Sequence, residues 1–136
     1  MRILAVDDDQ GARRIVGKLL ACRGYDVDTV SDGIGALDLL SKSKYDLAVL
    51  DYDMPGMNGV ELFQRISAML PTTIGIFLTT HTRLDTVFPA IEAGITRVLA
   101  KPIDAVALLG VVEQLIGPPE RKGSAQHRDL WNNSQN

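Results

Sequence analysis

The chain has 136 residues, 46% hydrophobic and 23% charged, with net charge −3 and a single cysteine, the balance of one ordinary globular domain. A domain of this size buries enough surface to fold without staples, and the lone Cys22 excludes an intrachain disulfide and points to a cytoplasmic compartment. The acidic balance excludes nucleic-acid binding through an overall basic field, and no apolar run is long enough for a signal peptide or a membrane span.

The first element is "ILAV", Ile3 to Val6, an apolar run stopped by Asp7, Asp8 and Asp9, which reads as a strand buried on both faces. In "QGARRIVGKLLACRG" the residues Ala12, Ile15, Val16, Leu19 and Leu20 recur at helical spacing, Arg13, Arg14 and Lys18 fall outside that stripe, and Gly24 stops the helix. "YDVDTV" is an alternating strand, "SDGIGALDLLSKS" a helix capped by Ser31 or Asp32, and "YDLAVL" a strand ending at Asp51. After the turn-rich "DMPGMNG" come a helix "GVELFQRISAML", a strand "TTIGIFLTT", a helix "LDTVFPAIEAG", a strand "TRVLA" and a helix "DAVALLGVVEQLI" capped by Asp104. Pro89 stands inside the fourth helix, which is therefore expected to start late or to bend. Five strands alternating with five helices give an α/β fold, a doubly wound parallel sheet with right-handed crossovers. The pattern fails at Gly117, so residues 1–117 read as the domain and 118–136 as a polar tail or linker stub, in which Trp131 is the one large apolar side chain.

In such a sheet the ligand site lies outside the carboxyl ends of the strands. Those ends carry Asp7, Asp8 and Asp9, then Asp51, then Thr79 and Thr80, then Lys101 and Pro102. Taken singly, an Asp run is turn or cap chemistry and a Lys-Pro is a loop; together they place acids, a hydroxyl and a lysine at the correct ends of four different strands. Two carboxylates about 5 Å apart repel by roughly 3 kcal/mol at an effective dielectric near 20, so such a crevice calls for a counter-charge. Oxygen ligands favour Mg²⁺ or Mn²⁺ over zinc, and Lys101 adds a mobile point charge able to pair with Asp51.

The stretches "AVDDDQGARRIV", "YDLAVLDYDMPGMNGVEL", "IFLTT" and "AGITRVLAKPID" resemble, in this order and spacing, the receiver domain of two-component response regulators over about residues 1–117. The resemblance implies a flavodoxin-like strand order 2-1-3-4-5. It implies that Asp51 is the phosphoacceptor, taking a phosphoryl group from a phosphohistidine of a histidine kinase or histidine phosphotransfer protein. Asp7, Asp8, Asp51 and the backbone carbonyl of Asp53 would hold Mg²⁺, Lys101 would bind a phosphoryl oxygen, and Thr79 would move toward another. That movement would switch the surface of the fourth helix, fifth strand and fifth helix toward a downstream protein or a phosphorylation-dependent homodimer. Pro102 would follow a cis peptide, and Gly94 would stop the fourth helix. Asp53, Thr80 and His81 occupy positions that tune the lifetime or access of the aspartyl phosphate, Thr80 being bulkier than is usual. Val98 replaces the Tyr or Phe whose rotation often accompanies the Thr movement.

Two other readings stand beside this one. The domain is compatible with a receiver cut from a larger regulator or hybrid kinase, with the Gly-Pro-Pro tail as linker. Alternatively "DYD" is the Asp-x-Asp of a haloacid dehalogenase-like phosphatase, but that motif follows the first strand with metal acids late in the chain, and here Asp7 and Asp8 precede it.

Overall fold

The computed structural model describes residues 1–80 and 84–119, with the side chains at 84–86 and 88 left aside; His81 and the tail from 120 on, with Trp131, lie outside them. The chain runs β1 (Arg2–Val6), α1 (Gln10–Arg23), β2 (Asp26–Val30), α2 (Gly33–Lys42), β3 (Leu47–Asp51), α3 (Gly59–Met69), β4 (Ile74–Thr79), α4 (Leu84–Glu92), β5 (Arg97–Ala100) and α5 (Ala105–Ile116). The strands form one parallel sheet in the order β2-β1-β3-β4-β5, as the resemblance implies. Every element expected from the sequence is present, with ends shifted by a residue or two.

The side-chain period of two sorts the central strands between two cores. Leu4, Val6, Ala48, Leu50 and Phe77 face Ala36, Leu40, Leu62, Phe63, Ile66 and Ala90 of α2, α3 and α4. Ile3, Ala5, Leu47, Val49, Ile76 and Leu78 face Val16 and Leu20 of α1 and Leu108, Val112 and Ile116 of α5. The near-unbroken apolar runs of β1 and β3 follow directly, since both faces of each are covered.

Local chemistry sets the helix ends. Asp9, Asp32, Asn58 and Asp104 each accept an N–H from the first turn of α1, α2, α3 and α5, so of the two cap candidates for α2 it is Asp32 that acts. Gly24 and Gly94 take positive φ just past α1 and α4. The late start expected for α4 does not occur: the helix begins at Leu84 and passes through Pro89. Pro89 is the sixth residue of the helix, past the four N-terminal donors that lack intrahelical partners, so one ladder bond is lost there, while its carbonyl still accepts the Ala93 N–H at 3.0 Å.

Register places the chemistry. Val6 lies beside Leu50, Asp51 beside Leu78, and Thr79 beside Ala100, so the residues ending β1, β3, β4 and β5 arrive in one row at one edge of the sheet.

Candidate functional site

The row begins with Asp7, immediately after β1. Its N–H donates to the Val30 carbonyl at 3.2 Å, its carbonyl accepts from Arg13 Nη1 at 2.8 Å, and its Oδ1 accepts the Asp9 N–H at 2.9 Å. That Asx turn aims the other oxygen, Oδ2, at Lys101 Nζ, 2.9 Å away. The three consecutive aspartates thus separate: Asp7 is buried, Asp8 is exposed, and Asp9 turns its carboxylate onto the Ala12 N–H as the cap of α1.

Asp51 ends β3 buried at 4% exposure, its Oδ1 accepting the Asp53 N–H at 3.2 Å and lying 3.3 Å from Lys101 Nζ. The loop after it is pinned by close backbone approach. A Cβ on Gly59 would lie 2.8 Å from the Asp51 carbonyl oxygen and 3.0 Å from Tyr52 Cα, contacts no side chain can make, so "MNG" needs its glycine. Tyr52 then packs edge-on against Phe77 with ring centroids 5.5 Å apart, anchoring the loop on β4.

Thr79 is fully buried at the end of β4, and its carbonyl accepts the Lys101 N–H at 2.8 Å. The Lys101–Pro102 peptide is cis. Lys101 bridges the two acids: the expected pairing with Asp51 is present at 3.3 Å, and Asp7 is nearer still at 2.9 Å. Carboxylate oxygens of Asp7, Asp8 and Asp51 lie within 4.8 Å of one another, a spacing one small divalent cation can span.

Burial, the hydrogen bond that protonated Asp51 donates to the Asp8 carboxylate and the charge of Asp7 push the Asp51 carboxyl up to about 7, against the opposing pull of Lys101. For Lys101, burial pulls the ammonium down, but its hydrogen bond to Asp7 and the charge of Asp51 outweigh that and leave it raised. Three acids with one lysine remain short of positive charge, and the donor set is all oxygen; these residues fit Mg²⁺.

Of the other expected site residues, Asp53 and Thr80 are exposed at the rim, while Val98 is half-buried and packs against the core under α2, α3 and α4. The Asp53 carboxylate is not among the acids that gather, which fits a backbone role. Two features escaped the sequence reading. Arg13, assigned to the solvent side of α1, reaches back to the Asp7 carbonyl; its place in the first turn after the Asp run was the available signal. Ile15, assigned to the buried stripe, is 52% exposed. It lines a cavity of about 570 Å³ with Gly11, Ala12, Thr80, Lys101, Pro102 and Ile103.

Residues 3–113 match the family model described as response regulator receiver domain. The chain belongs to that family. The receiver is 30% identical over 115 residues to sporulation initiation phosphotransferase F of Bacillus subtilis, covering 85% of this chain and 93% of that protein. It is 33% identical over 114 residues to the transcriptional regulatory protein GlrR of Escherichia coli, covering 84% of this chain but only 26% of that protein. Among solved structures, the chemotaxis protein CheY4 of Vibrio cholerae superposes with a TM-score of 0.81 at 31% identity, over 85% of this chain and 98% of that one. The protein is accordingly a signalling domain of two-component systems, a class whose acidic pocket binds Mg²⁺ and whose partners are histidine kinases or phosphotransfer proteins. Among the described residues no helix is long and apolar enough to cross a membrane.

Proposed function

We propose that Asp51 is the phosphoacceptor of this receiver. The observation that carries the reading is the convergence of Asp7, Asp8 and Asp51 within 4.8 Å of one another, with Lys101 bridging Asp7 and Asp51. A carboxylate oxygen of Asp51 attacks phosphorus in a phosphohistidine; the P–N bond breaks, its electron pair returns to the imidazole, and an aspartyl phosphate forms. Asp7, Asp8, Asp51 and the Asp53 carbonyl hold Mg²⁺, or Mn²⁺, which when bound offsets the negative charge of the transferring group. Lys101, already at the crevice floor, turns its ammonium from the Asp51 carboxylate to a phosphoryl oxygen. The donor has to approach over the exposed rim of Asp8, Asp53 and Thr80, beside the cavity whose lip carries Ile15.

Thr79 couples the new charge to the rest of the fold. Its hydroxyl turns toward the phosphoryl group, and β5, paired to β4 through Thr79 and Ala100, transmits the movement to the α4, β5 and α5 surface. With Val98 in place of an aromatic ring the readout runs through Thr79 and the backbone. Asp53, Thr80 and His81 set how long the phosphoryl group survives, Pro102 belongs with Val98 to the switching region, and residues 118–136 act as tail or linker. That surface then binds a downstream protein or a second copy.

The test is transfer from a labelled histidine kinase or phosphotransfer protein. Label should move to the wild-type chain, stop on chelation of divalent cations and vanish in Asp51→Ala. Transfer unaffected by chelation would remove the metal, and multiple turnover of phosphomonoesters would restore the phosphatase reading.

A further inference from the structure

We propose that Arg13 is a positioning residue for the acidic site: its guanidinium holds the peptide plane between Asp7 and Asp8, and thereby places the Asp8 carboxylate to receive a divalent cation. The proposal rests on the reading of these acids as a cation site.

Only Asp7, Asp8 and Asp9 separate the end of β1 from the start of α1. Asp7 is held by its N–H on the Val30 carbonyl and by its carboxylate between the Asp9 N–H and Lys101. Asp9 is held as the cap of α1. Asp8 is exposed, with a carboxylate oxygen within 4.8 Å of those of Asp7 and Asp51, both of them acids. The peptide unit is planar, so the direction of the Asp7 carbonyl fixes the line along which Asp8 departs. Arg13 Nη1 donates to that carbonyl at 2.8 Å from a guanidinium that is itself partly buried. Its neighbours on α1, Arg14 and Lys18, are exposed and show no hydrogen bond or ion pair among the described residues. The commitment of Arg13 is therefore specific to its position and is not shared by the basic face.

Two effects of Arg13 on a bound cation have opposite signs. A nearby positive charge repels the cation, whereas an ordered loop presents its ligands ready-made. Positioning predicts that losing the hydrogen bond weakens binding; charge alone predicts that it tightens binding, and more so at low salt.

The experiment titrates Mg²⁺ into metal-free wild type, Arg13→Met and Arg13→Lys by calorimetry, with thermal unfolding of each metal-free protein as control. Arg13→Met should bind about tenfold more weakly, the low end for residues that orient metal ligands, and Arg13→Lys should recover to within about twofold of wild type. In the metal-free state the Asp9 amide of Arg13→Met should exchange faster with solvent while those of Leu4 and Val6 are unchanged. Tighter or unchanged Mg²⁺ binding by Arg13→Met, or weakening equal in the Lys variant, overturns the proposal; failure of wild type to bind Mg²⁺ overturns the cation-site reading beneath it.

Discussion

At each end of the sheet acids gather around a basic side chain. Where the strands start, Arg2 meets Asp28 at 3.0 Å and Asp26 at 3.5 Å, its N–H donates to Asp46 at 2.8 Å, and its guanidinium lies 4.9 Å above the Tyr45 ring. Where the strands finish, Lys101 meets Asp7 at 2.9 Å and Asp51 at 3.3 Å. The side chains of Arg2 and Asp28 are each 39% exposed, those of Lys101, Asp7 and Asp51 only 16%, 4% and 5%. At the first end water screens the charges, and the cluster is a fastening with small net energy. At the second, poor solvation turns aspartates around a basic side chain into a strained arrangement that a further cation can relax. Burial is what separates the fastening from the site, both being aspartates around a basic side chain.

The largest effect should come from removing the lysine. Lys101→Met leaves Asp7 and Asp51 facing each other without a cation and should cost about 3 kcal/mol in denaturant unfolding at pH 8, less at pH 5 where Asp51 keeps its proton. Asp51→Asn should go the other way. The unfolded carboxyl ionises near its ordinary value of 3.8 and the folded one near 7, so the stability contributed by the protonated group is present below about pH 4 and is lost as pH rises through 7. Metal-free Asp51→Asn should therefore be more stable than wild type by about 2 kcal/mol at pH 8, with little difference at pH 4. The smallest effect belongs to the opposite end: Arg2→Met should cost about 1 kcal/mol, reduced by salt. An Arg2→Met loss as large as that of Lys101→Met would break the contrast between the two ends.

The alternation of elements was legible because period-two apolar runs and 3.6-period stripes are local signals, and the site residues were legible because each stands at a strand end. Strand order was not, since parallel pairing joins distant segments and came only with the family resemblance. The separation of Asp7, Asp8 and Asp9 was hidden as well: three identical neighbours diverge because one is claimed by the α1 cap and one by burial under Lys101. Ile15 fits the apolar stripe by spacing, yet the chain leaves a cavity beside it. Arg13 looked like a solvated charge because a contact that folds back along the chain has no periodicity.

The central claim is that Asp51 alone among the clustered acids takes the phosphoryl group. Incubation with acetyl phosphate and Mg²⁺, reduction of the acyl phosphate with borohydride and peptide mapping by mass spectrometry would read the modified residue directly. Conversion of Asp51 to homoserine, absent in Asp51→Asn, is the predicted result; modification at Asp7, Asp8 or Asp53 with Asp51 unchanged would contradict it.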